Sequence, residues 1–280
     1  MNVLEAILLG VVQGLTEFLP ISSSGHLILV PWLADIRYLQ DHPDFNKTFD
    51  VALHLGTLFG VIAYFRAEVD MMLRGLGGLA RRRAVTNANE RLALIVAVAT
   101  IPAVIVGGLG EDWIDEHLGE PWQIAILLAL FGLLLAWADR LPQRHGMEAV
   151  GPKQALQIGV AQAAALAPGV SRSGVTITAG RVLGLDRDAA ARFSFLLLIP
   201  AVGGAVVLKG VGVIQDGLPA GAAGPMAAGV AAAAVSSYVA IAWMLAYVRR
   251  RSYDVFVVYR LIAAAIVLLL IATGVKAATF

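Results

Sequence analysis

Long apolar stretches separated by short polar segments dominate the chain. A helix that crosses a bilayer needs about 20 mostly apolar residues, with a lower limit of about 17, and six stretches fall in this range. This pattern predicts an all-α polytopic membrane protein with six transmembrane helices. The predicted spans are 49–65, 92–109, 123–139, 193–213, 226–246 and 255–273.

Two further apolar regions are interrupted by polar motifs. Residues 2–35 contain LPISSSGHL at 19–27, and residues 155–185 contain APGVSRSG at 167–174. Each half of these regions is too short to cross a bilayer by itself. Polar, non-helical backbone is tolerated at membrane depth where it is buried in protein or lines a wet cavity. We therefore predict two re-entrant helical hairpins, each with its polar motif at the turn.

The distribution of Arg and Lys among the loops predicts the orientation. Loops 66–91, 140–154 and 247–254 are rich in these residues, whereas loops 110–122 and 214–225 contain none. Cytoplasmic loops of membrane proteins carry an excess of Lys and Arg, so we place the first three loops in the cytoplasm. The first hairpin then enters the membrane from outside and the second from the cytoplasm.

The two hairpin sequences are similar to each other. GVVQGLTEFLPISSSG at 10–25 aligns without a gap with GVAQAAALAPGVSRSG at 159–174. Each hairpin precedes three predicted spans, and the opposite insertion directions indicate an inverted-topology repeat, a design that places a binding site between the repeats. We expect a single integral membrane domain, 1–280, built from repeats 1–139 and 150–275. Chance similarity between Gly- and Ala-rich segments is the alternative.

Composition agrees with a membrane protein and excludes other classes. Of the 280 residues, 59% are hydrophobic and 15% are charged, and the mean hydropathy is +0.77. Soluble domains are closer to half apolar and a quarter charged. The net charge of +1 predicts no nucleic-acid partner, and the absence of cysteine excludes disulfides and Cys-ligated metals. No basic residue precedes the first apolar run, so we interpret the N-terminal segment as part of the mature protein.

The two predicted turns carry different chemical groups. The first has Glu17, Ser23 and His26, whereas the second has Arg172. Ionisable groups inside membrane segments are costly and are candidates for functional sites. A guanidinium among serines and backbone N–H groups is suited to bind phosphate. A carboxylate near a phosphate repels it unless a cation lies between them, which suggests a divalent ion such as Mg²⁺ held by oxygen ligands.

At these motifs the chain resembles the undecaprenyl-diphosphate phosphatase family of the bacitracin-resistance type. QGLTEFLPISSSGH and PGVSRSG are similar to its two signature motifs, and the resemblance covers essentially the whole chain. It implies a bacterial inner-membrane enzyme that hydrolyses undecaprenyl diphosphate to undecaprenyl phosphate and inorganic phosphate. This reaction recycles the lipid carrier for cell-wall synthesis and confers bacitracin resistance. The resemblance also implies an active site facing the periplasm and a divalent cation, either Mg²⁺ or Ca²⁺.

The resemblance implies roles for individual residues. Glu17 matches the second acidic position of the family's Glu/Gln-x-x-x-Glu motif and is the candidate metal ligand. Gln13 matches the first position, where many members have Glu, and is a further candidate ligand. We expect Glu17, Ser23, His26 and Arg172 to be catalytic. The expected substrate-binding residues are Gln13, Ser22, Ser24, Gly169, Ser171, Ser173 and Gly174.

Two mechanisms fit these residues. In the one that we favour, Ser23 attacks the terminal phosphorus after losing its proton to His26. In the other, His26 attacks directly or activates water, and Ser23 orients the phosphate. His54, early in the first span and near the hairpin turns, could line the pocket, but we favour a packing or interfacial role for it.

A different function also fits an inverted repeat, namely that the protein flips a polyprenyl phosphate across the membrane. The expected partners are a polyprenyl diphosphate lipid and the lipid bilayer. A homodimer is left open.

Overall fold

The computed structural model describes residues 1–36, 42–216 and 221–279. Within these ranges the chain forms eleven α-helices and no β-strand, in agreement with the predicted all-α class. The helices are α1 (Val3–Phe18), α2 (Ser23–Ala34), α3 (Pro43–Tyr64), α4 (Arg66–Arg82), α5 (Ala88–His117), α6 (Pro121–Asp139), α7 (Pro152–Ala163), α8 (Arg172–Val182), α9 (Arg187–Asp216), α10 (Ala223–Val248) and α11 (Asp254–Ala272).

Several of these helices are long and apolar enough to cross a membrane. In the described part of the chain, α5, α6, α9, α10 and α11 each meet this condition. The number rises to six if α3 and α4, which are bent by 91° at Phe65, count as one broken span. The protein is therefore a multi-pass membrane protein, as predicted. Four predicted spans lie within α5, α6, α9 and α10. The spans predicted at 255–273 and 49–65 each extend one residue beyond α11 and α3.

Two predicted loops are largely helical. The segment 66–91 contains α4, and α5 continues into the predicted loop 110–122 as far as His117. Charged residues end an apolar stretch, but they do not end a helix. The signals that end α5 come later, at Gly119 with its φ of +127° and at Pro121, which begins the next helix.

Each predicted hairpin is a pair of short helices joined by a turn of the same local structure. Ser22 and Ser171 precede α2 and α8, and both have a φ of 75°. Each hydroxyl oxygen accepts a hydrogen bond from a backbone N–H three residues later, that of Gly25 at 3.3 Å and that of Gly174 at 3.1 Å. Positive φ is uncommon for serine, so this shared conformation is a specific similarity between the two turns.

Helix α10 lies between α1 and α3, and glycines make the close approach. Gly10 and Gly14 of α1 have GxxxG spacing, as do Gly56 and Gly60 of α3, and all four face α10. A Cβ atom added to Gly60 would lie 2.6 Å from the Cβ of Ser237. Small residues at this spacing let helix backbones approach closely in lipid.

Each hairpin packs against a helix from the other half of the chain. Helix α1 contacts α10, and α7 contacts α5. A Cβ atom added to Gly10 would collide with the carbonyl oxygen of Gly229. The aligned residue in the second hairpin, Gly159, approaches the carbonyl oxygen of Ala99 in the same way. Because each hairpin packs against a helix from the other half of the chain, these contacts position the two turns against each other.

A buried carboxylate joins the helix ends at one end of the bundle. Asp139 accepts hydrogen bonds from Arg187 at 2.7 and 3.0 Å and from the backbone N–H of Tyr253 at 3.0 Å. Arg181 Nε lies 3.4 Å from the same carboxylate. Burial raises the pKa of the Tyr253 hydroxyl, which stays protonated and donates to the carbonyl oxygen of Arg187 at 2.9 Å. Helices α6, α8, α9 and α11 are thereby fixed relative to one another.

Candidate active site

The two hairpin turns meet in the interior of the fold. Ser22 Oγ accepts a hydrogen bond from the backbone N–H of Gly169 at 3.1 Å, and Ser173 Oγ donates to the carbonyl oxygen of Leu19 at 3.0 Å. Gly169 has a φ of 101°, and a Cβ atom there would lie 2.8 Å from the carbonyl oxygen of Ile124. Only glycine fits this position without strain. The structure thus brings the two sequence motifs together.

Glu17 occupies the centre of a polar cluster. Its Oε2 accepts hydrogen bonds from Ser23 Oγ at 2.6 Å and from Gln13 Nε2 at 3.1 Å. Its Oε1 accepts a hydrogen bond from Arg172 Nη2 at 3.1 Å. The side chains of Glu17 and Arg172 are only 5% and 12% exposed, so little water screens this ion pair between the hairpins. Removing either partner would leave a buried, unpaired charge, which is costly.

Helix α9 fixes the orientation of the Arg172 guanidinium. Arg172 Nη1 donates to the carbonyl oxygen of Ser194 at 2.6 Å, and Thr176 Oγ1 donates to the hydroxyl of Ser194 at 2.7 Å. A planar guanidinium can bind two oxygens of one phosphate. The Nη2 that faces Glu17 is the donor that a phosphate would take over.

The remaining serines and Gly174 form bonds within the turns. Ser171 Oγ lies 3.2 Å from Ser173 Oγ, and Ser24 Oγ lies 3.5 Å from Ser22 Oγ. Gly174 lies in the first turn of α8, where its N–H donates to the capping hydroxyl of Ser171. These predicted substrate-binding residues surround the cluster, and the contacts that the structure shows for them stabilise the turn geometry.

His26 is not bonded to Ser23. Its Nδ1 lies 2.6 Å from the carbonyl oxygen of Ser22, its Nε2 lies 2.7 Å from the hydroxyl of Tyr259, and its ring stacks on Tyr259. A spacing of three residues places Ser23 and His26 on one side of α2. The short serine nevertheless reaches Glu17 on α1, whereas the long imidazole reaches α11. In this structure the Ser23 hydroxyl therefore donates to Glu17, whereas we expected it to pair with His26.

Comparison with known proteins identifies the family. The family described as Bacitracin resistance protein BacA matches residues 6–266. The chain belongs to this family. The undecaprenyl-diphosphatase of Pelobacter propionicus is 46% identical over 279 residues, which cover 99% of this chain and 100% of that protein. The undecaprenyl-diphosphatase of Geobacter sulfurreducens is 47% identical over 271 residues, which cover 96% and 98%. The resemblance that the two motifs indicated is confirmed over nearly the whole chain.

Two residues that the BacA-type motifs do not contain lie next to the cluster. His54 Nε2 lies 3.8 Å from Glu17 Oε2, and its Nδ1 lies 2.7 Å from the carbonyl oxygen of Asp50. We favoured a packing or interfacial role for His54 over a position in the pocket, and the structure places it beside Glu17. Arg260 of α11 is fully buried. A basic residue inside a predicted span is itself a signal of a functional position, and this signal was available in the sequence.

Arg260 fastens both turns to the rest of the bundle. Its guanidinium donates to the carbonyl oxygens of Pro20 at 3.1 Å, Gly169 at 3.0 Å and Val170 at 3.1 Å, and its Nε donates to that of Leu128 at 2.8 Å. Among the residues that the structure describes, no carboxylate forms an ion pair with Arg260. Its charge is therefore balanced only by carbonyl dipoles, and it adds positive potential beside the turns where an anion would bind.

An apolar cavity of about 420 Å³ adjoins the first turn. Leu15 of α1, Trp243 of α10 and Phe256 of α11 are among its lining residues, and His26 and Tyr259 provide polar groups in its wall. Clefts of this kind bind apolar ligand parts, and a few polar groups fix the orientation.

Oxygen ligands suitable for a divalent cation are present at Glu17. Gln13 Oε1 is buried and has no hydrogen-bond partner, although Nε2 of the same amide binds Glu17. Mg²⁺ and Ca²⁺ prefer oxygen ligands, and Mg²⁺ is usually bound by one or two carboxylates together with substrate phosphates. Within the described ranges no group of three His, Cys, Asp or Glu side chains could hold a metal. A cation here would therefore need oxygens of the substrate as well as Glu17 and Gln13.

Proposed function

We propose that this chain hydrolyses undecaprenyl diphosphate to undecaprenyl phosphate and inorganic phosphate. Its family and relatives that are 46% and 47% identical, both named undecaprenyl-diphosphatase, support this activity. The observation that carries the proposal is the cluster of buried Glu17 with partly buried Ser23 and Arg172, to which both hairpins contribute. Release of the monophosphate would return the lipid carrier to cell-wall synthesis and confer bacitracin resistance.

The proposed first step is attack by Ser23 Oγ on the terminal phosphorus. Glu17 Oε2, which lies 2.6 Å from Ser23 Oγ, accepts the serine proton. The bond between the terminal phosphorus and the bridging oxygen breaks, and undecaprenyl phosphate leaves. Water then attacks the phosphoserine, Glu17 returns its proton to Ser23 Oγ, and the water oxygen leaves with inorganic phosphate.

Arg172 stabilises negative charge on the transferring phosphoryl group. The incoming phosphate replaces Glu17 at the guanidinium, while the carbonyl oxygen of Ser194 keeps the guanidinium oriented. This exchange also frees Glu17 to act as a base. A divalent cation, Mg²⁺ or Ca²⁺, held by Glu17 and the Gln13 amide oxygen would neutralise charge on the diphosphate oxygens.

His26 is assigned to the leaving group. It lines the apolar cavity and is held at the first turn by Ser22. The prenyl tail occupies this cavity, and the imidazole orients the phosphate attached to the tail. Both ring nitrogens have partners, Ser22 and Tyr259, which weighs against His26 as the nucleophile.

The proposed membrane arrangement is six transmembrane helices, with α3 as the first, and two re-entrant hairpins in repeats 1–139 and 150–275. The identical φ of Ser22 and Ser171 and the exchanged packing of the two hairpins support a repeat. The arginine-rich loops favour an inner-membrane protein whose site opens to the periplasm.

Phosphate release from a polyprenyl diphosphate by the detergent-purified protein tests the activity. We expect release by the wild type in Mg²⁺, loss of release in EDTA, and a decrease of at least about 100-fold in Ser23→Ala and Arg172→Ala. Ser237→Ala is the matched control, because Ser237 Oγ is buried without a hydrogen-bond partner.

Transport is impossible in detergent, so the assay also separates hydrolysis from flipping. A folded wild type that binds the lipid but releases no phosphate would contradict the proposal and favour the flippase. Full activity in EDTA would contradict the proposed role of a divalent cation, but it would still support hydrolysis.

A further inference from the structure

Helix α4 lies across one end of the bundle. Its axis is bent by 91° from that of α3, and it packs against the start of α5, where Gly75 approaches the backbone of Asn89. A helix perpendicular to a membrane-crossing helix runs parallel to the membrane plane. The proposed hydrolysis uses no residue of α4. The residue pattern on the exposed side of α4 therefore calls for a different explanation.

The exposed side of α4 has an apolar part and a basic part. Leu73 and Leu76 are 64% and 48% exposed, and Ala80 continues this apolar stripe at helical spacing. Arg74 and Arg81 lie beside the stripe, because successive residues are about 100° apart around a helix. Such a division is typical of helices that lie in a membrane interface.

Much of the positive charge on α4 and its C-cap has no partner in the protein. Arg74 pairs with Asp70, and Arg82 pairs with Glu90. Across the described segments, three further arginines of this region form no ion pair and are exposed: Arg66, Arg81 and Arg83.

We propose that α4 lies in the membrane surface and binds anionic phospholipid headgroups. The apolar stripe of Leu73, Leu76 and Ala80 is buried among acyl chains, and Arg81 and Arg83 contact the headgroups. A bilayer with anionic lipid matches both parts of the exposed side at once, by apolar burial and by charge complementarity.

Spin labels test the position of α4. The chain has no cysteine, so Leu73→Cys and Arg74→Cys each give a single labelling site, and they form a matched pair of adjacent exposed positions. In vesicles of phosphatidylcholine and phosphatidylglycerol, we expect a label at 73 to collide mainly with oxygen and a label at 74 mainly with a water-soluble nickel complex. Equal and high nickel accessibility at both positions would place α4 in water and overturn the proposal.

Native mass spectrometry of the purified protein tests the headgroup contact. We expect Arg81→Gln/Arg83→Gln to weaken phosphatidylglycerol binding by about fivefold for each arginine, with phosphatidylcholine binding unchanged. Arg250→Gln/Arg251→Gln removes the same charge from two exposed arginines outside α4 and is expected to have a smaller effect. An equal loss in both double variants, or no loss in the first, would overturn the proposal.

Discussion

At the residue scale, the chemistry depends on where two neighbouring side chains point. Ser23 and His26 are three residues apart, yet Ser23 bonds to Glu17 of α1 and His26 bonds to Tyr259 of α11. Sequence spacing predicts a shared helix face, but it does not predict which neighbouring helix each side chain reaches. The geometry therefore favours Ser23 over His26 as the nucleophile.

We expect a covalent phosphoenzyme at Ser23. Its hydroxyl lies 2.6 Å from a carboxylate that can accept its proton. The enzyme is mixed with substrate labelled in the terminal phosphate and denatured in acid or in base. Phosphoserine survives acid, whereas phosphohistidine survives base and is lost in acid. A label that is stable only in base, and that persists in Ser23→Ala, would assign the attack to His26.

Sequence analysis predicted some residues of the candidate site and missed others. The difference depends on where the contact partners of each residue lie. The inverted repeat predicted a site between the two turns, and Glu17 and Arg172 lie there 3.1 Å apart. Arg260 binds carbonyl oxygens from both turns and from α6. Its position inside a span marks Arg260 as a candidate functional residue. Its partners could not be predicted, because every residue has a backbone carbonyl and the sequence does not show which ones accept a hydrogen bond. The contact between His54 and Glu17 joins two different helices, so sequence spacing did not reveal it.

At the element scale, hydropathy located the apolar segments better than the helix ends. Helix α5 begins before and ends after the predicted span 92–109, because helix caps rather than polarity determine where a helix stops. Hydropathy also says nothing about which helices touch. The GxxxG glycines of α1 and α3 indicate these contacts, because they lie where α10 packs closely against both helices.

We expect Gly60→Ala to destabilise the protein. Its new Cβ atom would lie 2.6 Å from Ser237 Cβ and 2.7 Å from the carbonyl oxygen of Ala234. Overpacking of this kind costs about 1–3 kcal/mol. Thermal unfolding in detergent, followed by tryptophan fluorescence, measures the effect.

Gly204→Ala is the matched control for this substitution. Gly204 also lies inside a helix, and its added Cβ atom would meet nothing within 4 Å. Alanine there is expected to be neutral or slightly stabilising, by up to about 1 kcal/mol. The same loss of Tm in both variants would contradict close packing at Gly60.

At the scale of the whole molecule, charge distinguishes the two ends of the bundle. Arg83 lies just before α5, and Glu116 lies in its last turn. An α-helix rises about 1.5 Å per residue, so the 30 residues of α5 are long enough to cross a bilayer. From the charges of the loops, the sequence predicted that the end of α5 near Arg83 lies in the cytoplasm. It did not predict that each hairpin packs against the other half of the chain.

We expect Arg83 and Glu116 to lie on opposite sides of the membrane. The chain has no cysteine, so Arg83→Cys and Glu116→Cys can be tested with a membrane-impermeant maleimide. Labelling of Glu116→Cys is expected in intact spheroplasts, and labelling of Arg83→Cys is expected in inside-out vesicles. Labelling of both from one side would contradict the assignment of α5 as a span, and the reverse pattern would invert the topology.

The ion pair between Glu17 and Arg172 also affects which anions can occupy the site. If phosphate binds Arg172 as proposed, Glu17 is its tethered competitor, present at a high effective concentration. A free phosphate ion has to displace it without help, whereas a prenyl lipid also gains about 0.8 kcal/mol for each CH₂ group that it buries. In the proposed mechanism, the carboxylate would reclaim the guanidinium after hydrolysis and expel inorganic phosphate. We therefore expect little inhibition by free phosphate while the enzyme acts on a dilute lipid.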